Sequence, residues 1–171
     1  MLPFDGGMLL DLDVVIERLT AAAKPTGLHV EGLTLLGGEP LAHAPAALEL
    51  ARAARRLGLS VMVFTGYTLE EAWELADPAV ARLLAETDIL VDGPYRRDQP
   101  ERQRRWVGSA NQRVHFLTPR CDPDDPRWRL PNTLEIRLQG GTLSVNGFPA
   151  PSPSAVAFWK RLARPRREHA P

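Results

Sequence analysis

Gly32-Leu33-Thr34-Leu35-Leu36-Gly37-Gly38-Glu39-Pro40-Leu41 decides the reading of this chain. Leu33 to Leu36 is a short apolar run that suits a buried strand, and the paired glycines stop it. Ala44 to Leu57 follows as an Ala- and Leu-rich helix, with Leu48, Ala51, Ala54 and Arg55 at helical spacing and Gly58 as its C-terminal cap. Ser60 to Phe64 is a second apolar strand. Thr68 with Glu71 makes a capping box, and Asp77-Pro78 starts a further helix that reaches about Glu86. Asp88 to Val91 reads as a third strand and Arg113 to Leu117 as a fourth. Upstream, Asp11 to Ala23 is an amphipathic helix with Leu12, Val15, Ile16 and Leu19 on one face, ended by Pro25 and Gly27.

Strands alternating with helices predict a parallel sheet with right-handed crossovers. The pattern changes after Leu117. Nine of the 16 prolines lie from Pro119 onward, and Pro119 to Pro131 reads as irregular linker. Thr133 to Leu138 then alternates with period two, turns at Gln139-Gly140-Gly141 and continues as Thr142 to Val145, the pattern of a β-hairpin. Ser154 to Ala163 fits a last short helix, and Pro165 to Pro171 a frayed basic tail. The expected organisation is an α/β domain over residues 1–118, a linker over 119–131 and a hairpin appendage over 132–171.

Composition narrows the function classes. The 171 residues carry 21 basic and 21 acidic side chains, so whole-molecule charge points to neither nucleic acid nor membrane. No apolar run approaches the ~20 residues of a membrane span, and the start lacks the basic and apolar parts of a signal peptide. The expectation is a soluble, cytoplasmic protein. A single cysteine, Cys121, excludes an intrachain disulfide and cannot by itself hold zinc or an iron–sulfur cluster. The four histidines show no metal-ligand spacing, and His115, in a strand, reads as a core residue.

Ligands of open α/β sheets bind beyond the carboxyl ends of the strands. There the chain places Gly37-Gly38-Glu39-Pro40, Thr65-Gly66-Tyr67 and Asp92-Gly93-Pro94-Tyr95, with Gly108 to Arg113 before the fourth strand. Glycines admit a ligand close to the backbone, and the Glu39 carboxylate suits an ammonium group. Asn111, Gln112 and Arg113 bring amides and a guanidinium suited to a carboxylate or to ribose hydroxyls. Plain turn chemistry explains each loop taken singly, with Glu39 as a helix N-terminal acid and Asp92 as a turn cap. Four such loops at one end of a sheet favour a site.

The same words carry a resemblance. Gly32 to Leu41, Phe64-Thr65-Gly66-Tyr67, Asp88 to Tyr95 and Gly108 to Arg113 occur in order at intervals similar to those of radical S-adenosylmethionine enzymes, specifically the activating proteins of anaerobic ribonucleotide reductases and related glycyl-radical activases. The resemblance covers about residues 5–117. It implies a partial (β/α) barrel with parallel strands, of which the first is missing here, followed by a hairpin appendage. It further implies reductive cleavage of S-adenosylmethionine at a [4Fe-4S] cluster to install a glycyl radical on a partner such as anaerobic ribonucleotide reductase, with flavodoxin or ferredoxin as electron donor. Carried over by position, Gly37, Gly38 and Glu39, next to Pro40, would hold the methionine amino group. Thr65 and Gly66 would lie near the methionyl end, and Asp92, Asn111, Gln112 and Arg113 would line the cofactor or face the partner.

One departure is serious. The family's Cys-x3-Cys-x2-Cys loop is absent, and Cys121 matches none of its three thiolates. The chain as given therefore has no catalytic cluster ligand and is expected to be inactive alone. Two explanations stand: the natural protein starts upstream of Met1, or this is a shortened relative acting as a binding protein. The abrupt start of the match at residue 5, and the unpaired edge that a lost first strand would leave, favour the first.

Arg96, Arg97, Arg102, Arg104 and Arg105, with Trp106, form a basic loop near the expected site. It reads either as a solvated loop or as a docking surface for an acidic partner. One aromatic among five arginines matches no nucleic-acid-binding fold. Trp128 and Trp159 lie in the appendage and are expected to pack against the barrel, and no nucleophile–His–Asp set or phosphate-binding glycine pattern occurs.

Overall fold

The computed structural model describes residues 9–24, 30–130, 134–139 and 142–147. Two compact units separate: Met1–Glu101 with Val107–Asp125, and Arg102–Trp106 with Pro126–Pro171.

In the first unit, α1 (Leu12–Ala22) is capped by Asp11, whose carboxylate accepts the Asp13 N–H at 3.1 Å. Leu12, Val15, Ile16 and Leu19 are half-buried while Asp13, Val14, Glu17 and Arg18 are exposed, as the periodicity predicts. Pro25 and Gly27 lie outside the described residues. Strand β1 (Gly32–Leu35) leads through a 3-10 turn, Pro40–His43, into α2 (Ala44–Arg56). Helix α2 ends in a Schellman motif: Leu59 N–H reaches Ala54 O and Gly58 N–H reaches Arg55 O, both at 3.0 Å, with Gly58 at φ 77°. Strand β2 (Ser60–Phe64) is followed by α3 (Leu69–Glu74), α4 (Pro78–Glu86) and β3 (Ile89–Asp92). The capping box at Thr68 and Glu71 is formed in both directions, and the Asp77 carboxylate accepts the Ala79 N–H at 2.8 Å.

The sheet has the order β1-β2-β3-β4, with β4 over Arg113–Phe116. Strands β1, β2 and β3 run parallel, in register Leu33↔Val61 and Val63↔Leu90. The expectation of parallel strands throughout is corrected at β4, which runs antiparallel to β3 with Asp92 opposite Arg113. The cause is the connection. Residues 93–112 contain no helix, and a parallel return needs a crossover of a dozen or more residues, usually helical. The result is an open mixed sheet with flanking helices, consistent with a partial (β/α) barrel.

Alternation in β2 explains the core. Val61 and Val63 are fully buried and meet Leu33, Leu35 and Leu90 beneath Ala47, Leu48, Ala51 and Ala54 of α2 and Val80, Leu83 and Leu84 of α4. Full burial of each such Val or Leu is worth about 1.5–3 kcal/mol. The small side chains of α2 let α4 pack closely beside it. Asp88, also fully buried, ties three elements together. Its Oδ2 accepts the Val61 N–H at 2.8 Å, and its Oδ1 accepts Arg55 Nη1 at 2.7 Å and the Thr118 hydroxyl.

The second unit contains an antiparallel hairpin, β5 (Leu134–Gln139) and β6 (Thr142–Gly147), paired from Leu134↔Gly147 to Gln139↔Thr142. Gly140 and Gly141 of the expected turn lie outside the described residues. So do the expected helix at Ser154–Ala163, Trp159 and the tail from Pro165. The stretch read as irregular linker contains one 3-10 turn, Pro126–Arg129. Trp128 meets Trp106 edge to face at 4.7 Å between ring centres, and the Arg105 guanidinium lies over the Trp106 ring. Among the described residues, no helix is long and apolar enough to cross a membrane.

Candidate functional site

Because β1, β2 and β3 are parallel, their carboxyl ends share one edge of the sheet, and antiparallel β4 brings its first residue, Arg113, to that same edge. Every residue expected in the site therefore lies at or just beyond a carboxyl end, or at the start of β4 and in the loop leading into it. They form three separate hydrogen-bonded groups.

The first group centres on Glu39. Gly37 and Gly38 have φ of 95° and 58°, a left-handed pair that turns the chain sharply after β1 and leaves open space where side chains would stand. Glu39 then caps the 3-10 turn that starts with Pro40. Its Oε1 accepts the Leu41 N–H at 3.0 Å and the Thr65 hydroxyl at 2.8 Å, while Oε2 accepts the Gly66 N–H at 2.8 Å. The reading of Glu39 as an N-terminal acid is thus correct, and the carboxylate is also clamped to the end of β2. A carboxylate offers about four acceptor positions. Among the described residues three are used, which leaves one on Oε2. Glu39 is half-buried, Thr65 is buried, and Gly37, Gly38 and Gly66 are exposed.

The second group centres on Asp92, buried at the end of β3. Its Oδ2 accepts the Leu69 N–H at 2.7 Å, and Arg113 grips both oxygens through Nε at 3.1 Å and Nη2 at 2.5 Å. The outer side of the Arg113 guanidinium pairs with exposed Glu70, Nη1 to Oε1 at 3.1 Å and Nη2 to Oε2 at 2.6 Å. His115 Nε2 lies 3.0 Å from Asp92 Oδ2, an ion-pair approach without hydrogen-bond alignment. Burial pushes the Asp92 carboxyl up, yet Arg113, the Leu69 N–H and His115 together outweigh it and hold it below the usual range. The hydrogen bonds from Arg113 bring Glu70 down to about 2, and Arg113 itself is raised by both carboxylates, Asp92 first.

The third group holds the loop between β3 and β4. Gln112 is buried and accepts the Gly108 and Ser109 N–H groups at 3.1 Å each, while its amide donates to Gly93 O at 3.1 Å. Asn111 donates to Pro94 O at 2.8 Å. Two members of these groups escaped sequence reasoning. Glu70 stands beside the capping box but signals nothing of Arg113, 43 residues away. His115, expected as a core histidine, is half-buried and flanks Asp92.

Comparison with known proteins bears on these groups. The 4Fe-4S single cluster domain family matches residues 2–115. The anaerobic ribonucleoside-triphosphate reductase-activating protein of Haemophilus influenzae is 33% identical over 116 residues, 66% of this chain and 72% of the relative. The chain belongs to this family of reductase-activating proteins. The Pasteurella multocida member is 35% identical over 122 residues, covering 68% of this chain and 71% of its own length. The member from Enterobacteria phage T4 is 29% identical over 113 residues, 63% of this chain and 65% of its own. No solved structure matches.

Family membership implies a [4Fe-4S] cluster, and the residues present do not fit one held by three thiolates. The sequence has a single cysteine, Cys121. Among the described residues, no group of three His, Cys, Asp or Glu side chains is placed to hold a metal ion.

Proposed function

We propose that this chain is a binding component in the activation of an anaerobic ribonucleoside-triphosphate reductase. It holds the amino end of S-adenosylmethionine at Glu39 and engages the reductase, but does not itself carry the iron–sulfur chemistry. The observation that supports this reading is the clamped Glu39 carboxylate. It is oriented by Leu41, Thr65 and Gly66, it retains one acceptor position, and it lies beside the exposed Gly37-Gly38 turn. An ammonium group needs such a fixed acceptor with open space beside it. In this reading Gly37, Gly38, Glu39 and Pro40 form the ammonium-facing corner, and Thr65 and Gly66 hold it. Asp92, Gln112 and Arg113 are engaged through hydrogen bonds within the chain and Asn111 through its amide N–H to Pro94 O, so that the four brace the adjoining loops.

In the cluster-bearing reading, a partial barrel of the radical S-adenosylmethionine type would cleave the cofactor reductively, with flavodoxin or ferredoxin as electron donor, to form a glycyl radical on the reductase. This chain lacks the thiolates for that cluster. Its proposed setting is the cytoplasm.

Equilibrium dialysis of the 171-residue chain against labelled S-adenosylmethionine tests the proposal. The chain should bind saturably, and Glu39→Gln should weaken binding about 10- to 100-fold, as expected for a charge-assisted hydrogen bond. Absent binding, or equal affinity in the variant, removes Glu39 from the role. Anaerobic reconstitution with iron and sulfide should leave the chain with less than one cluster, whereas a full [4Fe-4S] complement would return it to the catalytic reading.

A further inference from the structure

The loop after β3 is braced beyond what a solvated connection requires. Over residues 93–101 and 107–112, Gly93 N–H donates to Tyr67 O at 2.8 Å, Arg96 N–H to Ser109 Oγ at 3.1 Å and Ala110 N–H to Gln99 O at 2.7 Å. Pro100 and Ser109 form an isolated β-bridge. Gln112 and Ser109, at the centre of these bonds, are buried. The ring of Tyr95 rests on the bare Cα of Gly108, where a Cβ would come within 3.1 Å of it.

This bracing presents three exposed side chains, Tyr95, Arg96 and Arg97, with Tyr95 59% exposed. Among the described residues, neither the Arg96 nor the Arg97 guanidinium has an ion-pair partner, and Asp98 is the one acid within Tyr95–Gln99. Long connections without helix or strand are usually functional, and a rigid loop spends little conformational entropy on binding. Tyr and Arg are also residue types enriched where protein interfaces concentrate their binding energy.

We propose that Tyr95, Arg96 and Arg97, held on this braced loop, dock an acidic segment of the reductase polypeptide. The inference rests on the reading above that the reductase is the partner. Charge complementarity selects the occupant: two exposed guanidinium groups, without an ion-pair partner among the described residues, fit a run of Asp and Glu side chains, with Tyr95 supplying a preformed aromatic contact.

The test is the affinity of the full 171-residue chain for the purified anaerobic reductase from the same genome, measured by biolayer interferometry at low and moderate salt without S-adenosylmethionine. The double variant Arg96→Ala/Arg97→Ala should bind ~10-fold or more weakly and show a shallower salt dependence, and Tyr95→Ala should weaken binding at every salt concentration. The Arg double variant should keep the parent melting temperature, because the deleted groups are exposed, whereas Tyr95→Ala also gives up the contact with Gly108 and is compared with the parent at a temperature where both are folded. If the parent binds and the Arg double variant binds equally well, the docking surface is overturned while the choice of partner stands. If the parent does not bind the reductase at all, the reading of the partner fails and takes the docking surface with it. An effect of the Arg variant confined to a single-stranded oligonucleotide, with reductase binding unchanged, also overturns the proposal.

Discussion

Asp92 and Arg113 face each other across the antiparallel β3–β4 pair, and their side chains pair as their backbones do, Nε to Oδ1 at 3.1 Å and Nη2 to Oδ2 at 2.5 Å. The same carboxylate holds the first N–H of α3, so the chain between Gly66 and Leu69 is fixed at one end by Asp92 and at the other by Glu39. Two acids, one ending β3 and one in the turn that follows β1, thereby set a single loop. Asp92→Asn keeps the shape and removes the charge. It should destabilise the chain by about 1–3 kcal/mol in urea unfolding, the range for a hydrogen bond to a charged group plus the burial cost of its unmatched partner. Unfolding midpoints that coincide with the parent would show that Asp92 is dispensable.

Acid should loosen the same corner. Asp92 is held below the usual carboxylate range, and Arg113 brings Glu70 down to about 2. Both groups are depressed, so their contribution is fully present above about pH 4, where unfolded-chain carboxyls titrate, and is lost as pH falls through the folded values. Glu70 is solvent-exposed, so its share is small and screened by salt, and Asp92 carries most of the effect. Urea midpoints at pH 7, 5 and 3 should stay level between the first two and drop at the third. Arg113→Gln should flatten that drop. An unchanged acid drop in the variant would place its origin elsewhere.

How much of this was legible depended on whether the cause lay close along the chain. The Asp77 cap, the Thr68–Glu71 box, the Gly58 terminus and the apolar face of α1 are local chemistry, and each was readable. Strand positions followed from apolar runs. The direction of β4 did not, because Arg113–Phe116 has the same pattern whichever way it pairs, and only the lack of a helix over residues 93–112 hinted at the reversal. At the site, Glu39 was singled out as a carboxylate in a glycine turn, but its clamp by Thr65 and Gly66 is a contact across 26 and 27 residues. The Arg113–Glu70 pair and the ties of Asp88 are likewise products of tertiary packing, for which no local residue pattern exists.

Asp88 should prove the most sensitive acid in the chain. It lies just before β3, fully buried, and its two oxygens take up a backbone N–H of β2, the Arg55 guanidinium and the Thr118 hydroxyl. Asp88→Ala leaves the Val61 N–H buried without a partner and deprives Arg55 of its closest carboxylate. The expected loss is about 2–4 kcal/mol, a substantial part of the stability of a domain this size. Thr118→Val removes one of the three donors and should cost about 1 kcal/mol. A double-mutant cycle should give a clear coupling energy between the two positions. Additive losses would show that the contact contributes nothing of its own.

Gly32 opens β1 opposite Ser60, and its lack of a side chain sets how closely the first two strands approach. A Cβ built there would stand 2.2 Å from Ser60 Oγ and 2.8 Å from Ser60 O. The hydroxyl can rotate away, but the carbonyl belongs to the β2 backbone and cannot move without disturbing its pairing. Gly32→Ala should therefore destabilise the chain by about 1–3 kcal/mol, an overpacking cost that exceeds the gain from restricting a glycine in the unfolded chain. Combining it with Ser60→Gly relieves the side-chain clash and leaves the carbonyl clash, so urea unfolding should show partial and not full recovery. Full recovery would assign the tightness to the serine hydroxyl alone. A neutral single variant would mean that β1 can shift outward from β2 at no cost, and the register Leu33↔Val61 would then be loosely held.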